Sequence, residues 1–505
     1  MAKTDRNPNV SYWIDSTPRT TYPRLEGDQE YDVVIIGAGL VGLTAAYFLK
    51  KAGQRVAVLE LKEIARGVTG YTTAKISANH ELSYTKLTKK HGEEVARQYG
   101  ESNRGAIEQI AGIIEELAID CDFRRQDSYT FSESPGKVAH IRREVELTQR
   151  LGLPTSFVTE TPLPFPVAGA IKHENEAEFH PRKYLLALAA YVHGGGSAIY
   201  EHTRAVDVDE AGPLAVKTSH GTVRAADVIV ATNFPFLDRG LFFTKVHPHR
   251  EYVIGAYLNG PAPAGMYMSA GSSPYTVRAQ PTAKGELLIV LGGKHVPGRA
   301  DERERYANVE EWARQRFDVK TMPYRWSTQD TWSVDGLPYA GPLTPNSRVQ
   351  VVTGLKGWGM TLGTLGAEIT AERILGRTHP YARLYSTNRL NPRASAQKAV
   401  LENAKVGLRF VADHLKRGEK LPVSQVKNGD GHVLNLDGER VAVYRDADGT
   451  LHGVSPVCTH LYCTVKFNAA EKTWDCPCHG SRFDYAGTVI QGPATKDLSP
   501  KSIHE

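Results

Sequence analysis

Four of the five cysteines fall in one short stretch, as two compact groups: Cys458-Thr459-His460-Leu461-Tyr462-Cys463 and Cys476-Pro477-Cys478-His479-Gly480-Ser481. Each group offers a thiolate and an imidazole in the order Cys, His, with one further cysteine. A mixed-ligand [2Fe–2S] centre needs that set, with two thiolates on one iron and two imidazoles on the other. Tetrahedral zinc accepts the same donor types. Zinc fingers, however, usually draw two cysteines from one segment and two histidines from the other, and zinc leaves Cys463 and Cys478 unexplained. So dense a cluster points to a metal or redox site before a structural disulfide framework. Cys121 stands alone and reads as a small buried hydrophobe.

A second group of residues lies near the other end of the chain. The run 31–36 (YDVVII) is short and rich in Val and Ile, the pattern of a buried parallel strand. It leads into Gly37-Ala38-Gly39-Leu40-Val41-Gly42 and a helical pattern over 43–51. Here Gly37 makes the tight turn, Gly39 lets the backbone approach a pyrophosphate, and Gly42 lets the helix pack close to the sheet. The helix N-terminus, at Leu40 and Val41, offers free N–H groups and a partial positive charge to the phosphates. A second strand, 55–59 (RVAVL), ends at Glu60, whose carboxylate suits ribose hydroxyls and repels a 2′-phosphate. Strand, glycines, helix, strand and acid in this order make a dinucleotide site, for FAD or NAD.

Two observations favour FAD. No second fingerprint follows a predicted strand; Gly194-Gly195-Gly196 closes a helical pattern as a stop signal. The nucleotide fold is also completed far along the chain. The run 227–231 (DVIVA) with Thr232 reads as a returning strand, and 349–353 (VQVVT) leads through a Gly-rich turn, 354–361, into a helical stretch at 362–375. Over 32–375 the chain resembles the D-amino-acid oxidase and glycine oxidase superfamily of FAD enzymes. The resemblance implies that Gly357, Gly359, Met360 and Thr361 lie against the isoalloxazine. It also makes Gly67-Val68-Thr69-Gly70-Tyr71-Thr72-Thr73-Ala74-Lys75 the second flavin-contacting loop, and Val206 the place where adenine meets backbone. Asp335-Gly336-Leu337-Pro338 resembles the family's segment before the last strand. No His or Cys stands in a flavin-attachment context, so non-covalent FAD is expected.

The C-terminal motif closely resembles the Rieske proteins, including those of cytochrome-b-containing electron-transfer complexes. By that resemblance Cys458, His460, Cys476 and His479 are the cluster ligands, Cys463 and Cys478 form a disulfide joining the two loops, and Gly492-Pro493 supplies a third covering loop. Short β-prone runs at 433–436, 440–444 and 451–455, separated by Asp437-Gly438 and Asp448-Gly449, fit a small antiparallel domain.

The elements that must position these groups form a chain of 505 residues, enough for two or three domains. The expected fold is an α/β FAD-binding, Rossmann-like domain with an inserted α+β substrate domain, plus a C-terminal all-β Rieske domain. Residues 1–30 read as an N-terminal arm; 31–80, 180–234 and 323–376 as the FAD-binding domain; 81–179 and 235–322 as the substrate domain. Residues 377–417 read as a linker and 418–505 as the Rieske domain. Within the linker, 394–417 has a helical pattern with Leu401, Ala404, Leu408, Val411 and Leu415 on one stripe. With the two cofactor motifs on separate domains, replacing Cys458 or His479 is expected to abolish the cluster while leaving FAD bound. The composition, 41% hydrophobic and 23% charged, is that of ordinary soluble material. A net charge of +5, dispersed along the chain, gives no footprint for nucleic acid. No apolar run is long enough to span a bilayer and no signal peptide is visible, so a cytoplasmic location is expected.

Flavin chemistry asks the protein mainly to hold a substrate C–H against the flavin N5, so the sequence marks the substrate site weakly. Arg250, Tyr252, Arg278, Lys294 and His295 flank the β-prone runs 251–258 and 287–291 and are the candidates to bind a substrate carboxylate or amine. In the monomeric sarcosine-oxidase relatives a lysine over the flavin assists the oxygen reaction; alignment on 287–292 puts Val290 there. A tethered one-electron cluster suggests a dehydrogenase acting on an amine or amino acid, with the cluster as exit to an external one-electron acceptor, protein or quinone. The alternatives are a reductase in which the cluster feeds the flavin, a redox carrier or sensor without small-molecule turnover, and a plain oxidase.

Overall fold

The computed structural model describes residues 9–298, 301–389 and 418–503. The helical pattern at 394–417 lies outside the described residues. The apolar run after Tyr31 forms the strand Val33–Ile36, buried at every position. It lies inside a six-stranded sheet ordered Tyr339–Pro342, Val349–Thr353, Asp227–Val230, Val33–Ile36, Val56–Leu59, Ala198–Tyr200. All pairs are parallel except that of the edge strand Tyr339–Pro342. Strands covered on both faces need apolar residues at successive positions, which is why these show no alternation. The helices Leu40–Lys51 and Gly359–Ile374 follow two strands of this sheet through glycine turns, so their N-termini meet at the strands' C-terminal ends, where open α/β sheets place ligands.

A nine-stranded, largely antiparallel sheet stands beside it. Its strand Val246–Leu258 pairs antiparallel with Gly285–His295 and with Val319–Ser333, and this pairing carries the strands beyond the short apolar runs at their centres. Alternation splits the sheet into two faces. Val253, Leu287, Ile289, Leu291 and Trp326 join the core shared with the six-stranded sheet. Tyr252, Ile254, Leu288 and Val290 pack instead with Tyr306, Val309 and Trp312 of the helix Glu302–Arg316. Asp301 caps that helix, accepting from the backbone N–H groups of Arg303 and Glu304.

The C-terminal region is all-β. The strands Asp430–Leu436, Glu439–Arg445 and Leu451–Val454 form one antiparallel sheet, and Lys466–Asn468, Thr473–Asp475, Arg482–Asp484 and Val489–Gln491 form another. Asp437 and Gly438 both have positive φ, 50° and 88°, as the two-residue hairpin turn requires.

Candidate flavin and cluster sites

The glycine turns, Glu60 and the loop after Gly67 converge on a cavity of about 530 Å³. Of the expected flavin contacts, Gly37, Gly39, Leu40, Val41, Glu60, Gly67, Thr69, Thr72, Thr73, Thr232, Gly357, Gly359 and Met360 line it. The Glu60 carboxylate accepts from the backbone N–H of Ala38 (2.9 Å) and of Lys62 (3.0 Å), while burial raises its pKa. A Cβ added to Gly67 or Gly357 would meet nothing within 4 Å, so the backbone there is open to a flat ring. The donor-rich turns and this open backbone fit FAD.

The remaining expected contacts lie behind the wall. A Cβ on Gly42 would sit 1.8 Å from the carbonyl oxygen of Gly37, which is the close helix packing that glycine permits. Gly70 is similarly tight against Ala65, and Ala74 is buried with φ 58°. Thr361 is buried and donates to the carbonyl of Ser77 (3.3 Å). Lys75 is buried behind the wall, its Nζ donating to Thr276 Oγ1 (2.7 Å) and to Oγ1 of the cavity-lining Thr73 (3.0 Å), and burial lowers its pKa to about 7. Val206 is 36% exposed, and its neighbours Thr203, Arg204 and Ala205 line the cavity in its place.

In the C-terminal region Cys458 and Cys476 are free and buried, and their thiols are hydrogen-bonded to each other. The rings of His460 and His479 lie 5.0 Å apart and perpendicular. Nδ1 of each ring is buried without a hydrogen-bond partner. Two sulfurs on one side and two orphaned imidazole nitrogens on the other match the division of ligands between two irons. Cys463 and Cys478 form a disulfide, with Cα atoms 6.5 Å apart. Cys476 Sγ lies within 4.8 Å of both disulfide sulfurs, but the bond between Cys463 and Cys478 removes that pair as ligands.

Residues 32–373 match the family of FAD dependent oxidoreductases, and residues 418–501 match the Rieske [2Fe-2S] domain. The chain belongs to the FAD-dependent oxidoreductase family. This oxidoreductase is 34% identical over 493 residues to YhfW of Bacillus subtilis (strain 168), named for a Rieske 2Fe-2S iron–sulfur protein; the match covers 97% of this chain and 96% of that one. It is 24% identical over 372 residues to gamma-glutamylputrescine oxidoreductase of Escherichia coli (strain K12), covering 68% and 84% of the two chains. The crystal structure of glycine oxidase from Geobacillus kaustophilus shares its fold with a TM-score of 0.61 at 20% identity, over 72% of this chain and 100% of that one. The oxidoreductase therefore carries FAD and a [2Fe–2S] cluster, and the cysteine motif holds that cluster, not zinc. No described helix is long and apolar enough to cross a membrane.

The structure commits most of the expected substrate-binding residues of the oxidoreductase elsewhere. Arg250 is fully buried in an ion pair with Asp475. Tyr252 faces the helix Glu302–Arg316 and bonds His295 Nε2 (2.9 Å); burial drives the His295 pKa down to about 4. Arg278 is buried against Glu178 (3.0 Å) and donates to the carbonyls of Ala74 and Phe179. Val290 also faces that helix, so Leu291, one residue on, lines the cavity. Lys294 is not on the cavity wall: its Nζ lies 3.0 Å from the centroid of the Trp332 ring, and burial lowers its pKa.

Glu251 carried no mark in the sequence as a site residue. It lines the cavity, and its carboxylate makes no hydrogen bond or ion pair among the described residues. Burial pushes its pKa up to about 7, against the attraction of Lys294. Strict alternation along 246–258 would have separated Glu251 from Arg250 and Tyr252. Asp330, also on the cavity wall, accepts from the N–H groups of Gly357 and Thr331, and burial raises its pKa to about 6.

The histidine edge of the cluster site is closed by residues 234–243, which follow the strand Asp227–Val230 of the six-stranded sheet. His460 Nε2 meets Asp238 Oδ1 at 3.0 Å, and the ring of Phe234 lies 5.8 Å from His479 and 6.3 Å from His460. Phe243 adds an edge contact to His479 at 6.1 Å. Gln329 donates to the carbonyl of Gly480 (2.7 Å), where a Cβ would lie 2.5 Å from Gln329 Nε2.

Proposed function

We propose that this oxidoreductase is a dehydrogenase that oxidises an amine or amino-acid-type substrate and passes the electrons through its Rieske cluster to an external one-electron acceptor, protein or quinone. One observation carries the reading. Phe234 lines the flavin cavity and also touches both histidines of the cluster site, so a single side chain spans the gap between the two centres. The flavin, when bound, supplies two-electron oxidation of a C–H bond, and the cluster accepts electrons one at a time. The chain's part is to hold the substrate and exclude water. Glu251, on the cavity wall without a bonding partner, is placed to receive a protonated amine, with Lys294 and Trp332 beside it. The names of the relatives, an oxidoreductase of gamma-glutamylputrescine and a glycine oxidase, support an amine or amino acid as the substrate class.

The test is anaerobic mixing with a panel of amines, amino acids and hydroxy acids, following flavin and cluster absorbance separately. A substrate of the proposed class should bleach the flavin first and the cluster second. Cluster reduction preceding flavin reduction by an external donor would favour the reverse flow. Rapid stoichiometric peroxide formation in air, unchanged by loss of the cluster, would make the protein a plain oxidase.

A further inference from the structure

The flavin cavity is not built by the flavin-binding strands alone. Val489, Gln491, Pro493, Ala494 and Thr495, all from the cluster domain, line it as well. Their place along the cavity follows from their neighbours. Arg204, itself on the wall, donates to the carbonyl of Thr495 (3.3 Å) and pairs with Asp497 (2.9 Å). Leu61, next in the chain to Glu60, packs against the apolar core of the cluster domain. Residues 489–495 therefore lie at the end of the cavity marked by the ribose-facing acid.

The same segment is tied to the cluster loops. The backbone N–H of Ala494 donates to Ser481 Oγ at 3.0 Å. Ser481 in turn hydrogen-bonds the thiol of Cys458, and both residues are fully buried. Asp497 Oδ1 also accepts from the N–H of Val489 (2.9 Å), so one carboxylate holds both the start of the segment and Arg204. A path of two hydrogen bonds thus leads from a cluster ligand to the wall of the dinucleotide cavity.

We propose that segment 489–495 of the cluster domain is part of the FAD-binding site, closing it at the ribose end, and that assembly of the cluster fixes this segment and so tightens FAD. The two cofactors are then bound as one unit, and a chain that lacks the cluster holds its flavin loosely.

The test uses the full chain and reads FAD affinity, by titrating flavin-stripped protein and following the quenching of flavin fluorescence. Asp497→Ala removes the shared anchor without removing a cavity-lining residue, while Asp497→Asn keeps an acceptor for Val489. Gln491→Ala changes the wall itself. In protein with its full iron content, Asp497→Ala should weaken FAD binding about fivefold, the scale of one lost hydrogen bond, with Asp497→Asn closer to the parent. Removing iron from the parent with a chelator should weaken FAD comparably, and reconstitution with iron and sulfide should restore it. If Asp497→Ala and Gln491→Ala both stay within about twofold of the parent, a shift too small to reflect a lost contact, the segment is not part of the site. If iron removal leaves the affinity unchanged, the coupling to the cluster is overturned.

Discussion

Arg250 and Asp475, 225 positions apart in the chain, form an ion pair whose side chains are 0% and 2% exposed. The guanidinium also donates to Gln329 Oε1 (2.9 Å), and the carboxylate accepts from Asn468 (3.1 Å), Thr473 (2.9 Å) and Arg482 (3.2 Å). Burial alone would raise the Asp475 pKa; Arg250, then Arg482, hold it far below the usual carboxylate range. A buried pair of this kind adds little net stability over an apolar pair, but it is costly to break. It fixes how the cluster domain sits on the nine-stranded sheet.

Arg250→Met should therefore destabilise the protein, by up to about 3–5 kcal/mol, because it takes from a buried carboxylate the stronger of its two guanidinium partners and leaves Arg482 as the other. Arg250→Met combined with Asp475→Leu should cost less than the sum of the single changes. Denaturant unfolding of the four members of this cycle measures both quantities. Additive costs would show that the pair is not energetically coupled.

Purified protein should contain one FAD and a [2Fe–2S] cluster per chain, read as flavin absorbance, iron and acid-labile sulfide. Replacing Cys458 with Ser or His479 with Ala should abolish the cluster. From the sequence alone, with the motifs on separate domains, FAD is expected to stay bound. With residues of both domains on one cavity wall, these variants should instead release FAD faster on gel filtration than the parent does.

Phe483 is fully buried in the cluster-domain core, and Ser481 bonds the thiol of Cys458. Hydrogen bonds to cluster sulfurs favour the reduced, more negative state and raise the potential. Ser481→Ala should lower the potential, and Phe483→Tyr should raise it if the new hydroxyl reaches a sulfur. A redox titration of the cluster signal in each variant gives the direction.

Folding raises the pKa of Glu251 from the ordinary 4.5 to about 7, chiefly by burial. The folded state thus holds a proton that the unfolded chain gives up. The stability this confers is present below pH 4.5 and is lost as pH rises through 7. Glu251→Gln should remove that loss, so the variant gains on the parent in melting temperature as pH goes from 5 to 8. Equal shifts at both pH values would mean that Glu251 is ionised throughout.

The two cofactor motifs were legible because their chemistry is local: a turn needs its glycines within a few residues, and a cluster loop needs its Cys and His side by side. Of Gly357, Gly359, Met360 and Thr361, expected at a flavin-facing turn, the first three line the cavity and Thr361 is buried in the helix behind it. Substrate residues were not legible. Arg250 and Arg278 looked like carboxylate binders because their partners, Asp475 and Glu178, come from distant strands that only the fold brings near. Glu251 was visible in principle, as the residue on the opposite face of the strand from Arg250. Phe234 and Asp238 carried no sequence signal, since their role depends on the docking of one domain on another. Trp13, from the expected N-terminal arm, is likewise fully buried, its indole donating to the carbonyl of Thr72 on the flavin loop.

The closed histidine edge, with Asp238 on His460 and Phe234 against both rings, makes the two centres permanent neighbours. Two freely diffusing redox proteins must first find each other, at a rate that depends on their concentrations and, where charges steer them, on salt. Here the encounter is already complete. Dilution should leave the rate of transfer between flavin and cluster unchanged. If the cluster is the exit, as proposed above, added salt should act only on the later meeting with the external acceptor, and a plot of turnover against ionic strength would describe that approach alone.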